Sequence, residues 1–152
     1  MVLLILINYS HWMVLLGYFV TAGEEDVENC KLLFYDPYYN NVKLLNYGGQ
    51  AEILHAVKEI AAEVEAGKLN VADITNNIFE SHLYTKGLPA PDLLIRPGGD
   101  LRISNFLLWQ IAYAEIWTTD AYWPDFSPEH LLQAIAAYQG RERRFGGLVN
   151  NK

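Results

Sequence analysis

At 152 residues, 51% of them hydrophobic, the chain is sized for one domain with a packed core, and global disorder is excluded. A formal net charge of −7 argues against a nucleic-acid partner, which needs a basic surface. The single cysteine, Cys30, leaves no internal disulfide framework and no cysteine metal cluster, and it fits a reducing compartment such as the cytoplasm.

Residues 1–23 contain no Asp, Glu, Lys or Arg, and Val2 to Ile7 and Trp12 to Val20 are strongly apolar. Three readings stay open. A transmembrane helix needs roughly 20 apolar residues, but Asn8, Ser10 and His11 would sit near its centre, where polar groups are costly. A secretory signal would want a basic start, which is absent. The third reading is a buried parallel strand, Val2 to Ile7, then a turn and a second apolar element, with His11 in the turn or the core. Residues 23–28, GEEDVE, read as a solvated loop or the exposed face of a short helix. Leu32 to Tyr39 is aromatic and broken by Pro37, which predicts a short strand leading to a turn at Asn40-Asn41.

Leu44-Leu45-Asn46-Tyr47-Gly48-Gly49 is a strand end entering a Gly-Gly turn. Ile53, Val57, Ile60 and Val64 then recur at helical spacing with Glu52, Glu59 and Glu63 elsewhere on the wheel, predicting an amphipathic helix closed by Gly67. Residues 68–90 form a polar, helix-prone connection in which Asn70 or Asp73 can cap and Ile74, Ile78 and Leu83 face inward.

The chemistry is concentrated in Pro91 to Glu115. Asp92-Leu93-Leu94-Ile95 reads as a short buried strand between Pro91 and Pro97-Gly98-Gly99. Ser104 or Asn105 can then cap a largely apolar helix through Phe106, Leu107, Trp109, Ile111 and Tyr113. A strand running through a glycine turn into a helix N-terminus presents free backbone N–H groups, and Arg96 and Arg102 add two charges, so phosphate is the ligand expected. Taken alone, the segment fits equally well an ordinary turn whose arginines pair with Asp92 or Asp100. Ser127-Pro128-Glu129 opens a final helix that stops near Gly140, and Arg141-Glu142-Arg143-Arg144-Phe145-Gly146-Gly147 follows. All five arginines thus fall in the last two fifths of an acidic chain.

These segments, with Trp123-Pro124-Asp125-Phe126 between them, resemble in order and spacing the C-terminal part of the cis-prenyltransferases, the family of undecaprenyl diphosphate synthase. The likeness runs from about Leu44 to Leu148, setting 1–43 apart from 44–152. It implies an α/β fold, a mostly parallel central sheet flanked by helices, incomplete relative to the full family fold. It also implies an isoprenyl transferase joining isopentenyl diphosphate to an allylic diphosphate. By the same resemblance Arg96, Arg102 and Ser104 bind the diphosphate of isopentenyl diphosphate, and Glu115 helps hold its Mg²⁺. Asn46, Gly48 and Gly49 lie near the cleft, and Arg141, Arg143, Gly146 and Gly147 serve a partner subunit's site, whether in a homodimer or with a complete member. The apolar N-terminus leaves the membrane surface as an alternative location to the cytoplasm.

The chain departs from the family in three places. Gln50 stands where most relatives carry a basic residue, and Arg96-Pro97-Gly98-Gly99-Asp100 replaces an Arg-Thr-Ser/Gly-Gly-Glu run. The Asp-Gly-Asn-Gly/Arg-Arg-Trp motif that normally holds the allylic diphosphate is absent. The expectation is therefore a truncated chain, inactive alone, or a non-catalytic subunit supporting a catalytic partner.

Overall fold

The computed structural model describes residues 2–8, 13–19, 31–36, 41–45, 47–122 and 125–141, the four N-terminal strands by their backbone alone. The order is β1 (Val2–Asn8), β2 (Met13–Phe19), β3 (Lys31–Asp36), β4 (Asn41–Leu45), α1 (Gly49–Glu65), a 3₁₀ turn (Val71–Asp73), α2 (Asn76–Ser81), β5 (Leu93–Pro97), β6 (Glu115–Thr119) and α3 (Pro128–Gln139). One six-stranded sheet, ordered β3-β4-β2-β1-β5-β6, joins the N-terminal strands to the rest.

The α/β class is as the sequence predicts, but the pairing is mixed. β2 runs parallel to β4 and β5 parallel to β6, whereas β1 is antiparallel to both β2 and β5 and β3 is antiparallel to β4. The first apolar run is thus a strand, antiparallel rather than parallel, because the four residues between β1 and β2 allow only a hairpin. No helix among the described residues is long and apolar enough to cross a membrane. His11, Cys30 and the acidic stretch 23–28 lie outside the described residues.

Five consecutive buried residues make β5 the centre of the described core. Alternation along a strand sends neighbouring side chains to opposite faces. Leu94 packs with Tyr47, Phe106, Leu107 and Ile111 on one face, while Leu93 and Ile95 pack with Ala134 of α3, Trp117 and Phe126 on the other. A sheet covered on both faces explains why this strand reads as an unbroken apolar run.

The helix boundaries follow their caps. Asn70 Oδ1 accepts from Ala72 N at 3.2 Å, and Thr75 Oγ1 from Ile78 N at 3.4 Å. At α3, Pro128 sits in the first turn and Ser127 N donates to His130 Nδ1 at 3.0 Å. Leu83 is buried as expected, whereas Ile74 is 40% exposed. His82 closes α2 against α1: its Nδ1 lies 2.8 Å from the Ile78 carbonyl and its Nε2 3.4 Å from Glu63, and the Ile78 contact first, then Glu63, holds its pKa above the usual histidine value.

Two expectations fail in instructive ways. α1 buries Gly49, Glu52, Ala56 and Ile60 and leaves Val57 about half exposed, so its inward stripe is not the Ile53, Val57, Ile60, Val64 row. The predicted helix over 105–116 does not form. Residues 104–113 run as successive turns and bends, with Ser104, Asn105 and Leu107 at φ of 46°, 61° and 44°. Left-handed non-glycine residues cost about 1–3 kcal/mol each unless their surroundings enforce them. Here they drive Phe106 and Leu107 under β5, each 1% exposed, where a regular helix would spread its apolar residues around a cylinder.

Candidate functional site

Two side-chain clusters emerge from the residues singled out in the sequence. At the first, the alternation that buries Leu94 carries Arg96 to the same face, and its guanidinium is 1% exposed. Nη1 donates to Ser104 Oγ at 3.1 Å and Nη2 to Asp100 Oδ2 at 3.1 Å. Arg102, 66% exposed, donates to the same Asp100 oxygen at 2.7 Å. Asp100 therefore bridges both arginines, as the ordinary-turn reading allows, but Arg96 is no surface residue. Its Nε is buried without a hydrogen-bond partner, which costs about 1–3 kcal/mol for an ordinary group and more for a charged one. Two guanidiniums share the Asp100 carboxylate, with the Asp120 carboxylate against Gly99 close by, so an incoming anion would have to take over guanidinium hydrogen bonds from Asp100.

The glycine turn contributes differently from expectation. Gly98 and Gly99 adopt φ of +94° and +75°, but their N–H groups donate to Ala121 O at 2.9 Å and Thr119 O at 2.8 Å. Pro97 has no N–H. The turn is thus tied to the end of β6 instead of forming an open nest, and with no helix after it there is no dipole to help. The donors left at this turn for an anion are the side chains of Arg96, Arg102 and Ser104.

Asn105 does cap a helix, though not one of its own. Its backbone oxygen accepts from Gly49 N at 2.7 Å and its Oδ1 from Gln50 N at 2.9 Å, satisfying two unpaired donors at the start of α1. The Gly48-Gly49 turn lets the segments meet. A Cβ on Gly49 would lie 2.9 Å from Leu108 Cγ and 3.0 Å from Asn105 O, and one on Gly48 3.2 Å from Asn105 Nδ2. Gly49→Ala should accordingly destabilise the chain by about 1–3 kcal/mol, read as a lower urea midpoint. An unchanged midpoint would mean the contact is not tight in solution.

The second cluster lies at the far end of the β5–β6 pair. Glu115 pairs with Leu93 while Arg96 pairs with Thr118, a separation of roughly 10 Å at about 3.3 Å per residue. Glu115 opens β6 instead of closing a helix, and its Oε2 accepts from Arg141 Nη1 at 2.6 Å. The structure therefore joins Arg96, Arg102 and Ser104, and separately Glu115 and Arg141. Asn46, Arg143, Gly146 and Gly147 lie outside the described residues. No group of three or more His, Cys, Asp or Glu side chains suited to a metal occurs among the described residues. Glu115 is a single carboxylate already bridged to Arg141, with no second protein carboxylate grouped beside it among the described residues, so an ion such as Mg²⁺ would need substrate phosphate oxygens to complete its shell.

A residue that sequence reasoning passed over is Glu52. Its carboxylate is fully buried, and it accepts from the Tyr47 hydroxyl, from Tyr84 N at 2.9 Å and from Gln110 Nε2 at 3.0 and 3.1 Å. The available signal was its place in the Glu52, Ala56, Ile60 row, a stripe as regular as the one preferred.

Comparison with known proteins agrees with the motif order. The sequence profile described as undecaprenyl diphosphate synthase matches residues 37–146. An isoprenyl transferase of Geobacillus kaustophilus is 60% identical over 104 residues, 68% of this chain and 40% of that protein. One from Clostridium perfringens is 54% identical over 104 residues, covering 68% and 41%. Among solved structures, lavandulyl diphosphate synthase from Lavandula x intermedia, in complex with dimethylallyl diphosphate, superimposes with a TM-score of 0.68 at 44% identity, over 70% of this chain and 46% of that one. The chain spans about 40% of the length of the curated relatives it matches.

Proposed function

The chain belongs to the undecaprenyl diphosphate synthase family of prenyltransferases, and from that membership we propose that it carries the isopentenyl diphosphate half of a cis-prenyl transferase site. The reaction condenses isopentenyl diphosphate onto an allylic diphosphate to give a polyprenyl diphosphate. The observation that carries this reading is Arg96: a buried guanidinium with an unpartnered Nε, held between Ser104 and Asp100 with Arg102 alongside. An arginine so costly to bury has a use if an anion completes it. Arg96, Arg102 and Ser104 would donate to the diphosphate of isopentenyl diphosphate. The resemblance would give Glu115 an oxygen for Mg²⁺, which when bound would neutralise diphosphate charge. Glu115 pairs with Leu93, however, three positions along β5 from Arg96 and on the other face, so this structure does not bring it to the Arg96 site. Calorimetric titration with isopentenyl diphosphate and Mg²⁺ tests the reading: one site per chain is expected, and no binding at millimolar ligand would overturn it.

The same reading makes this chain inactive alone and has Arg141, Arg143, Gly146 and Gly147 serve a partner's site. A second reading, a non-catalytic subunit of a catalytic partner, is favoured by the apolar surface that Leu101, Trp109, Tyr113 and Ile116 leave exposed. Both readings require association. Sedimentation at micromolar concentration should show a dimer or larger species, and a clean monomer would refute it. The location that follows is cytoplasmic or at the membrane surface.

A further inference from the structure

Glu52 is a fully buried carboxylate, and among the described residues no cationic side chain pairs with it. Its partners are all donors, which suits a group that accepts at both oxygens. They come from three places: Tyr47 just before α1, Tyr84 after α2, and Gln110 near the end of the left-handed segment. Gln110 Nε2 also donates to Thr85 Oγ1 at 2.7 Å. The segment that presents Ser104 to Arg96 is thereby fastened to α1 twice, at Asn105 through Gly49 N and Gln50 N and at Gln110 through Glu52. Between the fastenings lie Phe106 and Leu107, pressed under β5. Without a regular helix, residues 104–110 are held by these ties together with the burial of Phe106 and Leu107.

We infer that Glu52 is a positioning residue for the diphosphate site: its carboxylate, acting through Gln110, fixes the segment that sets Ser104 against the Arg96 guanidinium. It touches no substrate in this assignment, which rests on the diphosphate reading above. A mobile segment would still leave Arg102 and Arg96 charged, but it would no longer hold the Ser104 hydroxyl and the Arg96 fork in one place, and preorganised donors bind an anion more tightly than mobile ones.

Three variants of the 152-residue chain test this. Glu52→Gln keeps the shape but turns an amide toward the donors; Gln110→Met keeps the length and removes the amide; and Glu52→Gln with Gln110→Glu exchanges the two partners. With isopentenyl diphosphate and Mg²⁺ in the calorimeter, each single variant should raise Kd at least tenfold and the exchanged pair should recover most of the loss. Without ligand, hydrogen exchange should quicken at least tenfold at the Gly49, Gln50 and Ile111 amides, all of which donate to residues 105–107, and stay unchanged at Gly140 beyond α3. Uniformly faster exchange, Gly140 included, would make Glu52 a general structural support and overturn the assignment. Local exchange changes with an unaltered Kd, or no change in either, would overturn it as well. If the unaltered chain fails to bind isopentenyl diphosphate, the diphosphate reading falls, and the exchange pattern decides separately whether Glu52 places the segment. Should Glu52→Gln not fold, Gln110→Met carries both measurements.

Discussion

Arg102→Ala is expected to weaken isopentenyl diphosphate binding at least tenfold while leaving the melting temperature nearly unchanged. The guanidinium is 66% exposed and its contact is Asp100, so its share of fold stability is that of a surface ion pair, about 0–1 kcal/mol. A charge-assisted hydrogen bond to a diphosphate oxygen contributes about 1.5–3 kcal/mol, which converts to ten- to more than a hundredfold in Kd. Arg96→Met should lose at least as much affinity but would also leave Asp100 and Ser104 without their buried partner, so it reports on folding and binding together. Arg102 is the cleaner probe. Calorimetry with the alanine variant decides the matter, since unchanged affinity would remove Arg102 from the site.

The elements legible in the sequence are those whose local signals agree with their tertiary role. β5 is bounded by prolines and buried on both faces, so a short apolar run was enough to find it. The start of α3 was visible because Ser127 and Pro128 favour the same helix start that packing uses. That Arg96 and Arg102 meet on one carboxylate was foreshadowed similarly, since five arginines crowded into one part of an acidic chain are conspicuous.

Where local and tertiary preferences part, the reading failed. Phe106 to Tyr113 has helical spacing, yet Asn105 caps α1 instead of its own segment, and a left-handed backbone at Ser104, Asn105 and Leu107 follows. The competing demand is the pair of open N–H groups at Gly49 and Gln50, which no local pattern announces. Glu52 was set apart from the apolar row with Glu59 and Glu63, and carboxylates are almost never fully buried unless their hydrogen bonds are met. Its donors, Tyr84 and Gln110, are 32 and 58 residues away. The free amides expected at Gly98 and Gly99 were lost to carbonyls of the β6 end, another contact that only the folded sheet supplies.

The 152-residue chain alone is expected to make no polyprenyl diphosphate. A transferase of this kind binds two diphosphates, and the chain offers arginines for one. Residues 1–95 contain no arginine, and Lys31, Lys43, Lys58, Lys68 and Lys86 lie in no phosphate loop that the sequence reveals. A single preorganised contact to developing charge contributes about 2.7–4 kcal/mol, or 10²–10³ in rate, so lacking a whole binding loop should suppress turnover well beyond that. The rival account has Asp26 or Asp36 replace the missing aspartate. Asp26 lies outside the described residues, but Asp36 ends β3 at the sheet edge, with β4, β2 and β1 between it and β5. Four strand spacings of about 4.8 Å put the two strands roughly 19 Å apart, too far for one carboxylate to serve a reaction centred on Arg96. The assay is incorporation of labelled isopentenyl diphosphate onto farnesyl diphosphate with Mg²⁺, with and without a complete family member. Sustained elongation by this chain by itself would overturn the expectation. Elongation that appears only with a catalytically silenced complete member, and is lost when Arg102 here is replaced by alanine, would place the isopentenyl diphosphate half-site on this chain and the allylic half on its partner.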